Sequence, residues 1–371
     1  MYYKTFYKNN VTLDYSVDSL YAHQTIPSVE VASVPEKITV RTEQPFTILT
    51  NAANTTKLAI LQRLVHNAMQ CLNTGIPQYT QYRIPKTKGG FRCITAPSDE
   101  LKSLQKNIYN ILTGLGATAH NAAYAYEPHR TCKDAVLKHQ KSNSEWFYKF
   151  DIKDFFPTCT DTLLQTTLKE VFPFCCLSET LLNDLIKVAT YQNSLPQGSP
   201  LSPLLSNLVL TKFDYIMTYS VRPFNGTYTR YADDILISTP TKHELSFIQH
   251  IVQKHLNEVS PTLRLNKEKS RCGSKNGSNW NLGLMLNKDN NITLGHKRKM
   301  ELKAKINNFI FDFTNQDYWS IIDTQVLQGE VNYFKTIEPS YASFVINRLE
   351  QKYLTNYTLQ QMFHQIISGC E

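Results

Sequence analysis

Apolar positions recur at helical spacing in three stretches of the chain. Leu101, Leu104, Ile108, Leu112 and Leu115 follow Pro97-Ser98, where Ser98 is placed to cap a first turn. Leu181, Leu182, Leu185 and Ile186 follow Ser178 in the same way, and Leu245, Ile248, Val252, Leu256 and Val259 mark a third amphipathic helix. Between these helices lie short β-type runs: Trp146–Ile152, Thr227–Tyr231 and Ile235–Ile237. Further on, Leu284-Met285-Leu286 and Ile292-Thr293-Leu294 flank the polar turn Asn287–Asn291 and predict a hairpin. Strand, helix, hairpin, helix, strand is the order of a split βαβ sheet with helices on one face, an α+β arrangement. No internal repeat, Gly/Ser linker or low-complexity tract interrupts it, and the first 80 or so residues are the least readable.

Composition narrows the class. The 371 residues suffice for two or three domains, and 42% hydrophobic content with 13 Gly and 16 Pro excludes a disordered or collagenous chain. Apolar stretches such as Leu204–Leu210 break well before the ~18 residues of a membrane span. Met1–Asn10 lacks the apolar core of a secretion signal, so a cytoplasmic protein without a membrane partner is expected. The eight cysteines show neither CxxC pairs nor zinc-ligand spacing, and reduced, mostly buried thiols are expected. His139, His243 and His296 read as surface or core residues. The net charge of +8 is local: Arg264–Lys305 holds eleven Lys/Arg against Glu268, Asp289 and Glu301, and the rest of the chain is balanced. Alone, such a run is most simply a solvated face.

Two acidic clusters at strand ends carry the chemistry. Asp151 ends the aromatic run Trp146–Phe150, and Asp233-Asp234 sits between two β-type runs. Carboxylates flanked by buried strands are costly unless paired or bound to a cation. An Asp-Asp turn by itself is usually only a turn. The segment between the clusters changes that reading: in Leu195–Asn207 three prolines and Gly198 fix a loop running into an apolar helix, and Gln197 offers an amide beside an accessible backbone.

Phe150-Asp151-Ile152-Lys153-Asp154-Phe155-Phe156, Leu195–Asn207 and Tyr228-Thr229-Arg230-Tyr231-Ala232-Asp233-Asp234 resemble motifs A, B and C of reverse transcriptases, in order and at usual separations. Tyr82–Lys86 and Phe91–Ile94 are similar to the fingers segment that holds the incoming triphosphate, with Lys86 (or Lys88) and Arg92 as its cations. Leu265–Lys269 resembles motif D, Asn281-Leu282-Gly283-Leu284 the primer grip, and Lys297–Lys305 with Gln328–Tyr333 parts of a thumb.

The resemblance implies a right-hand polymerase fold: an N-terminal extension (1–80), fingers (81–145, with part of 160–200), a ferredoxin-like palm (146–294) and a helical thumb (295–371). It implies two Mg²⁺, with Mn²⁺ as substitute, on Asp151, Asp233, Asp234 and the carbonyl of Ile152. Lys269 is then the general acid at the pyrophosphate. Gln197 and Gly198 contact the nucleotide, and Phe156 excludes a 2′-OH, with Phe155 as the alternative gate. Leu282, Gly283, Lys297, Arg298, Lys299 and Lys303 line the nucleic-acid path. The expected partners are a structured non-coding RNA template, a DNA or RNA primer and dNTPs, with a homo-oligomer or effector protein also compatible.

Among subclasses, the short stretch after Tyr333 leaves no expected room for ribonuclease H, endonuclease or integrase domains. Lys133–His139 is similar to the Asn-Ala-x-x-His element of retron enzymes, but Asp134 replaces Asn, one extra residue precedes His139, and the retron Val-Thr-Gly signature is missing. Small defence-associated bacterial reverse transcriptases therefore rank first and retron enzymes second. An inactive RNA-binding descendant is the alternative of another class, against which the intact acidic clusters argue. An RNA-dependent RNA polymerase is disfavoured by Ala232 and Phe156.

Overall fold

All three amphipathic stretches are helical, and serines start the first two. The computed structural model describes residues 52–85, 89–275, 283–353 and 356–369. Contacts group the chain into two units: Met1–Arg130 with Phe150–Ile237 and His243–Arg271, and Thr131–Lys149 with Ser238–Lys242 and Cys272–Glu371.

The first unit opens with α1 (Ala52–Leu72), which packs on α2 (Asp99–Gly114) and α6 (Glu179–Ala189). The Ser98 hydroxyl accepts from the Leu101 amide at 3.3 Å, and Leu101, Gln105, Ile108 and Leu112 form the buried stripe of α2. Ser178 caps α6 through the Leu181 amide at 3.2 Å. Hydroxyl caps of this kind satisfy amides that a first helical turn leaves open. Between α1 and α2, β1 (Tyr79–Pro85) and β2 (Phe91–Pro97) form an antiparallel hairpin whose register runs from Tyr79 opposite Pro97 to Pro85 opposite Phe91. Buried Gln105 ties several of these pieces together. Its amide nitrogen donates to the Tyr79 hydroxyl at 3.0 Å and the Val188 carbonyl at 2.8 Å, and its oxygen accepts from Ser199 at 3.0 Å.

A four-stranded sheet has the order β4-β5-β3-β6, with β3 Trp146–Asp151, β4 Thr227–Tyr231, β5 Asp234–Thr239 and β6 Arg271–Ser274. The interiors of β4 and β5 are buried residue after residue, which is why they read as continuous runs without a clean alternation. The short α4 (Phe155–Thr158), then α5 (Asp161–Leu168), α6, α7 (Ser202–Val209) and α8 (Thr211–Ser220) separate β3 from β4, and α9 (Leu245–Val259) follows β5. This is the predicted element order. Phe213, Ile216 and Met217 of α8 and Tyr228 of β4 are among the buried core residues.

The second unit begins with α3 (Cys132–Lys141), started by a reciprocal capping box between Thr131 and Asp134. That cap gives a local reason for Asp at position 134. Buried His139 lies 2.6 Å from the Ser238 hydroxyl through Nδ1, and burial pushes its imidazole down to about 3, so it is a neutral core residue. The expected hairpin forms as β7 (Met285–Leu286) and β8 (Ile292–Thr293). Helices α10 (His296–Thr314), α11 (Ile321–Ile337), α12 (Pro339–Lys352) and α13 (Leu359–Ser368) pack around aromatic residues, Phe309 lying 5.0 Å from Phe363 and 5.4 Å from Trp319 between ring centres. Among the described residues no helix is long and apolar enough to cross a membrane, and the seven described cysteines are free.

Candidate active site

The acidic clusters meet at one edge of the first unit. Buried Phe147, Tyr148 and Phe150 anchor β3, and Asp151 emerges at its end with a side chain only 11% exposed. The backbone there is fastened on two sides: Asn266 N–H donates to the Asp151 carbonyl and Lys153 N–H to the Arg264 carbonyl, each at 2.8 Å, while Ile152 N–H donates to the Asp233 carbonyl at 3.1 Å. Asp151 and Asp233 thus stand on neighbouring backbone segments. Asp233 and Asp234 follow Ala232, which is buried and holds a left-handed backbone at φ 55°.

Charge is concentrated there. Burial raises the Asp233 carboxyl above its ordinary range, its own backbone hydrogen bond lowers it, Asp151 and Asp234 raise it further, and Lys269 offsets part of the effect. Lys269 Nζ donates to both oxygens of Asp151 at 2.9 Å. That hydrogen bond is the main reason the ammonium is held above the usual lysine range, with Asp233 and Asp234 adding to it. Lys269 comes from a single 3₁₀ turn, Lys267–Lys269, placed after the Ile152–Leu265 bridge. All the donors offered here are hard oxygens, the kind a divalent Mg²⁺ takes. Among the described residues no three acidic, His or Cys side chains converge as a metal cage, and Asp151 is engaged by Lys269.

The loop before α7 presses against β2. Thr95 N–H donates to the Gln197 carbonyl at 2.8 Å, and at Gly198, with φ 139°, an added Cβ would lie 2.8 Å from the Thr95 carbonyl oxygen. No side chain fits at this approach. Gln197 is half-buried and lies five residues before Ser202, where α7 begins, so it is not that helix's cap. Phe155 is core at 3% exposure, as expected, whereas Phe156 is half-buried, the two rings meeting edge to face at 6.1 Å. Arg92 is exposed on β2, opposite Ile84. Lys86 and its alternative Lys88 lie outside the described residues.

A family model described as reverse transcriptase (RNA-dependent DNA polymerase) matches residues 84–298, more than half of the chain. The chain belongs to the reverse transcriptase family. Retron Ec73 reverse transcriptase of Escherichia coli is 30% identical over 297 residues, 76% of this chain and 90% of that protein. Retron Ec83 reverse transcriptase of the same species is 30% identical over 285 residues, 74% of this chain and 86% of that protein. These relatives belong to the group that the missing Val-Thr-Gly ranks second. Apo telomerase from Candida tropicalis aligns with 84% of this chain and 67% of its own at a TM-score of 0.46 and 12% identity, too distant to bear on the site. This reverse transcriptase is an RNA-directed DNA polymerase with the right-hand polymerase fold, and it works on an RNA template and a primer. The family depends on divalent metal.

In the second unit, the residues expected along the nucleic-acid path divide. Leu282 lies outside the described residues. A Cβ on Gly283 would lie 2.9 Å from the Arg298 guanidinium, which also sits 5.2 Å over the Tyr333 ring. Lys297 is 92% exposed and Lys303 half-buried. Lys299 departs from the expectation of a phosphate contact: its ammonium is 3.1 Å from Glu338 and 4.6 Å over Tyr341, a charge already neutralised within the protein. Glu338 lies 39 residues further on, and no local pattern pairs the two.

Sequence reasoning missed two features of the first unit. Tyr126 is 47% exposed with a left-handed backbone at φ 60°, and its hydroxyl is raised by burial and then by Asp233 and Tyr231, with Arg92 opposing. Its signal in sequence is weak: one tyrosine between Ala125 and Glu127. The second is the fully buried Arg230, paired with Asp214 at 2.6 Å. An arginine inside a β-type run hints at a buried partner without naming it.

Proposed function

We propose that this reverse transcriptase adds dNTPs to a primer 3′ end on a structured non-coding RNA, with two Mg²⁺ held by Asp151, Asp233, Asp234 and the carbonyl of Ile152. The observation that carries the reading is the backbone hydrogen bond that sets Asp233 beside Asp151, with Lys269 donating to both oxygens of Asp151. When bound, the metal pair lowers the pKa of the primer 3′-OH and neutralises the leaving pyrophosphate. Lys269 must release Asp151 before that carboxylate serves as a ligand, and a released ammonium is then free to donate its proton at the pyrophosphate. Gln197 and Gly198 border the nucleotide, Arg92 and Lys86 its phosphates, and Phe156 lies under the ribose. The fingers, palm and thumb divide near residues 81, 146 and 295, and the thumb supplies Lys297, Arg298 and Lys303 to the duplex. Contacts to a phosphate backbone make binding strongly salt-dependent. The biological setting we propose is bacterial defence against phage.

The retron relatives favour a second reading, synthesis of single-stranded DNA that stays linked to its RNA. One preparation tests both. The protein purified from its host with its nucleic acid is expected to carry one discrete RNA, and with Mg²⁺ and dNTPs to extend a primer on it. A random RNA mixture overturns the dedicated template, and a product whose mobility changes on ribonuclease treatment selects the RNA-linked form. Asp233→Ala with Asp234→Ala is expected to abolish extension, and undiminished synthesis by that double variant rejects the site.

A further inference from the structure

Arg230 uses all five of its N–H donors inside the first unit. Nε and Nη2 donate to the two oxygens of Asp214 on α8 at 2.8 and 2.6 Å. Nη2 also reaches the Asn207 carbonyl at 3.2 Å, and Nη1 donates to the Asn207 side-chain oxygen at 3.0 Å. The fifth bond runs from Nη1 to the carbonyl of Ala232 at 3.0 Å. Tyr228 donates its hydroxyl to Asp214 at 2.6 Å, so the carboxylate is itself held in place. Asn207 passes the restraint on, donating to the Ala125 carbonyl at 2.7 Å beside Tyr126.

A buried ion pair can be scaffolding and nothing more, because desolvation offsets much of its attraction. Here one donor goes to the peptide just ahead of the catalytic aspartates. Ala232 holds a backbone that residues bearing a Cβ rarely adopt, and its carbonyl is fixed by Arg230. The next carbonyl, of Asp233, is fixed by Ile152 N–H beside Asp151. The turn is gripped at two successive peptides, by the Arg230 side chain of β4 and by the Ile152 amide just after β3.

We propose that Arg230, oriented by Asp214, is a positioning residue that locks the Ala232 peptide and so aims the Asp233 and Asp234 carboxylates. The inference rests on the two-carboxylate site proposed above and deepens it. Lysine keeps the charge at 230 but lacks the planar fork, so it cannot serve Asp214 and Ala232 together.

The test compares wild type and Arg230→Lys as full-length proteins by melting temperature, template-primer affinity, primer extension over a Mg²⁺ series, and Mn²⁺ binding followed by loss of the free-ion magnetic resonance signal. A positioning role predicts that folded variant, with template-primer affinity retained, loses about 10–100-fold in kcat or in Mn²⁺ affinity, as partners behind metal ligands commonly do. The KM for dNTP is expected to change less than kcat. A lowered melting temperature with unaltered kcat, Mg²⁺ dependence and Mn²⁺ affinity overturns the proposal and leaves Arg230 as scaffolding. Should Arg230→Lys not fold, Tyr228→Phe loosens Asp214 by one hydrogen bond while keeping the guanidinium. It is expected to raise the half-saturating Mg²⁺ concentration a few-fold, and an unchanged value overturns the proposal equally. Failure of the wild type itself to bind Mn²⁺ or extend a primer is the separate failure of the two-metal reading.

Discussion

Two Asp–cation pairs flank the Ala232–Asp234 turn and differ in almost every physical respect. Arg230–Asp214 is wholly buried, bidentate and supported by Tyr228 and Asn207. Lys269–Asp151 joins a carboxylate that is 11% exposed to an ammonium that is 55% exposed. The first cannot exchange its partner for water without stranding a charge in the core, and the second can. One pair is therefore fixed and the other releasable, the first suited to hold geometry and the second, on the proposed two-metal reading, to hand over a ligand. The two pairings behave in opposite ways because solvent access differs and because a guanidinium fork holds several acceptors at once where an ammonium does not.

Removing the buried partner gives the largest expected effect. Asp214→Ala leaves Arg230 charged and unpaired, and a loss of about 3–5 kcal/mol in stability is expected, seen as a large fall in the denaturation midpoint. A midpoint within error of wild type would erase the distinction between the pairs. For the front pair the expectation is reversed. Lys269→Ala should cost under about 1 kcal/mol of stability, because the ammonium is more than half exposed. It should nonetheless slow single-nucleotide incorporation by about 100-fold or more, the range for a lost general acid. A rate loss that vanishes when pyrophosphate release is no longer limiting would instead assign Lys269 to product release.

The smallest effect concerns the aspartates themselves. The folded-state pKa of Asp233 is raised, so the metal-free protein is favoured while that group is protonated and loses the advantage as pH rises through the raised value. Asp233→Asn is accordingly expected to melt higher than metal-free wild type at neutral pH, because it removes a buried carboxylate charge crowded by Asp151 and Asp234. The difference should shrink toward zero on acidification, as wild-type Asp233 takes up its proton. A difference independent of pH would trace the stabilisation to something other than charge repulsion.

Much of this molecule is legible in its sequence because its chemistry is written in contiguous words. Asp151 ends an aromatic strand, Asp233-Asp234 fills a turn, and Gly198 stands among prolines, so each announces its backbone within a few residues. The helices are equally plain, since the Leu101 to Leu115 spacing and the Ser98 cap are local properties. What was not legible depends on partners distant in sequence. Nothing local joins Arg230 to Asp214 and Asn207, which belong to two different helices, or Lys299 to Glu338. Tyr126 was missed for a related reason: its strained backbone and its nearness to Asp233 arise only when the 122–125 segment bonds to β4.

Gln105 carries a consequence of its own. One buried side chain serves the Tyr79 hydroxyl, the Val188 carbonyl and the Ser199 hydroxyl, so local opening of the hairpin, of the end of α6 or of the loop before α7 leaves part of the same amide unsatisfied. Segments that share such a penalty fluctuate together. Amide hydrogens around Tyr79, Val188 and Ser199 should therefore exchange with solvent deuterium as one cooperative unit, so that the hairpin, the end of α6 and the loop before α7 breathe as a block.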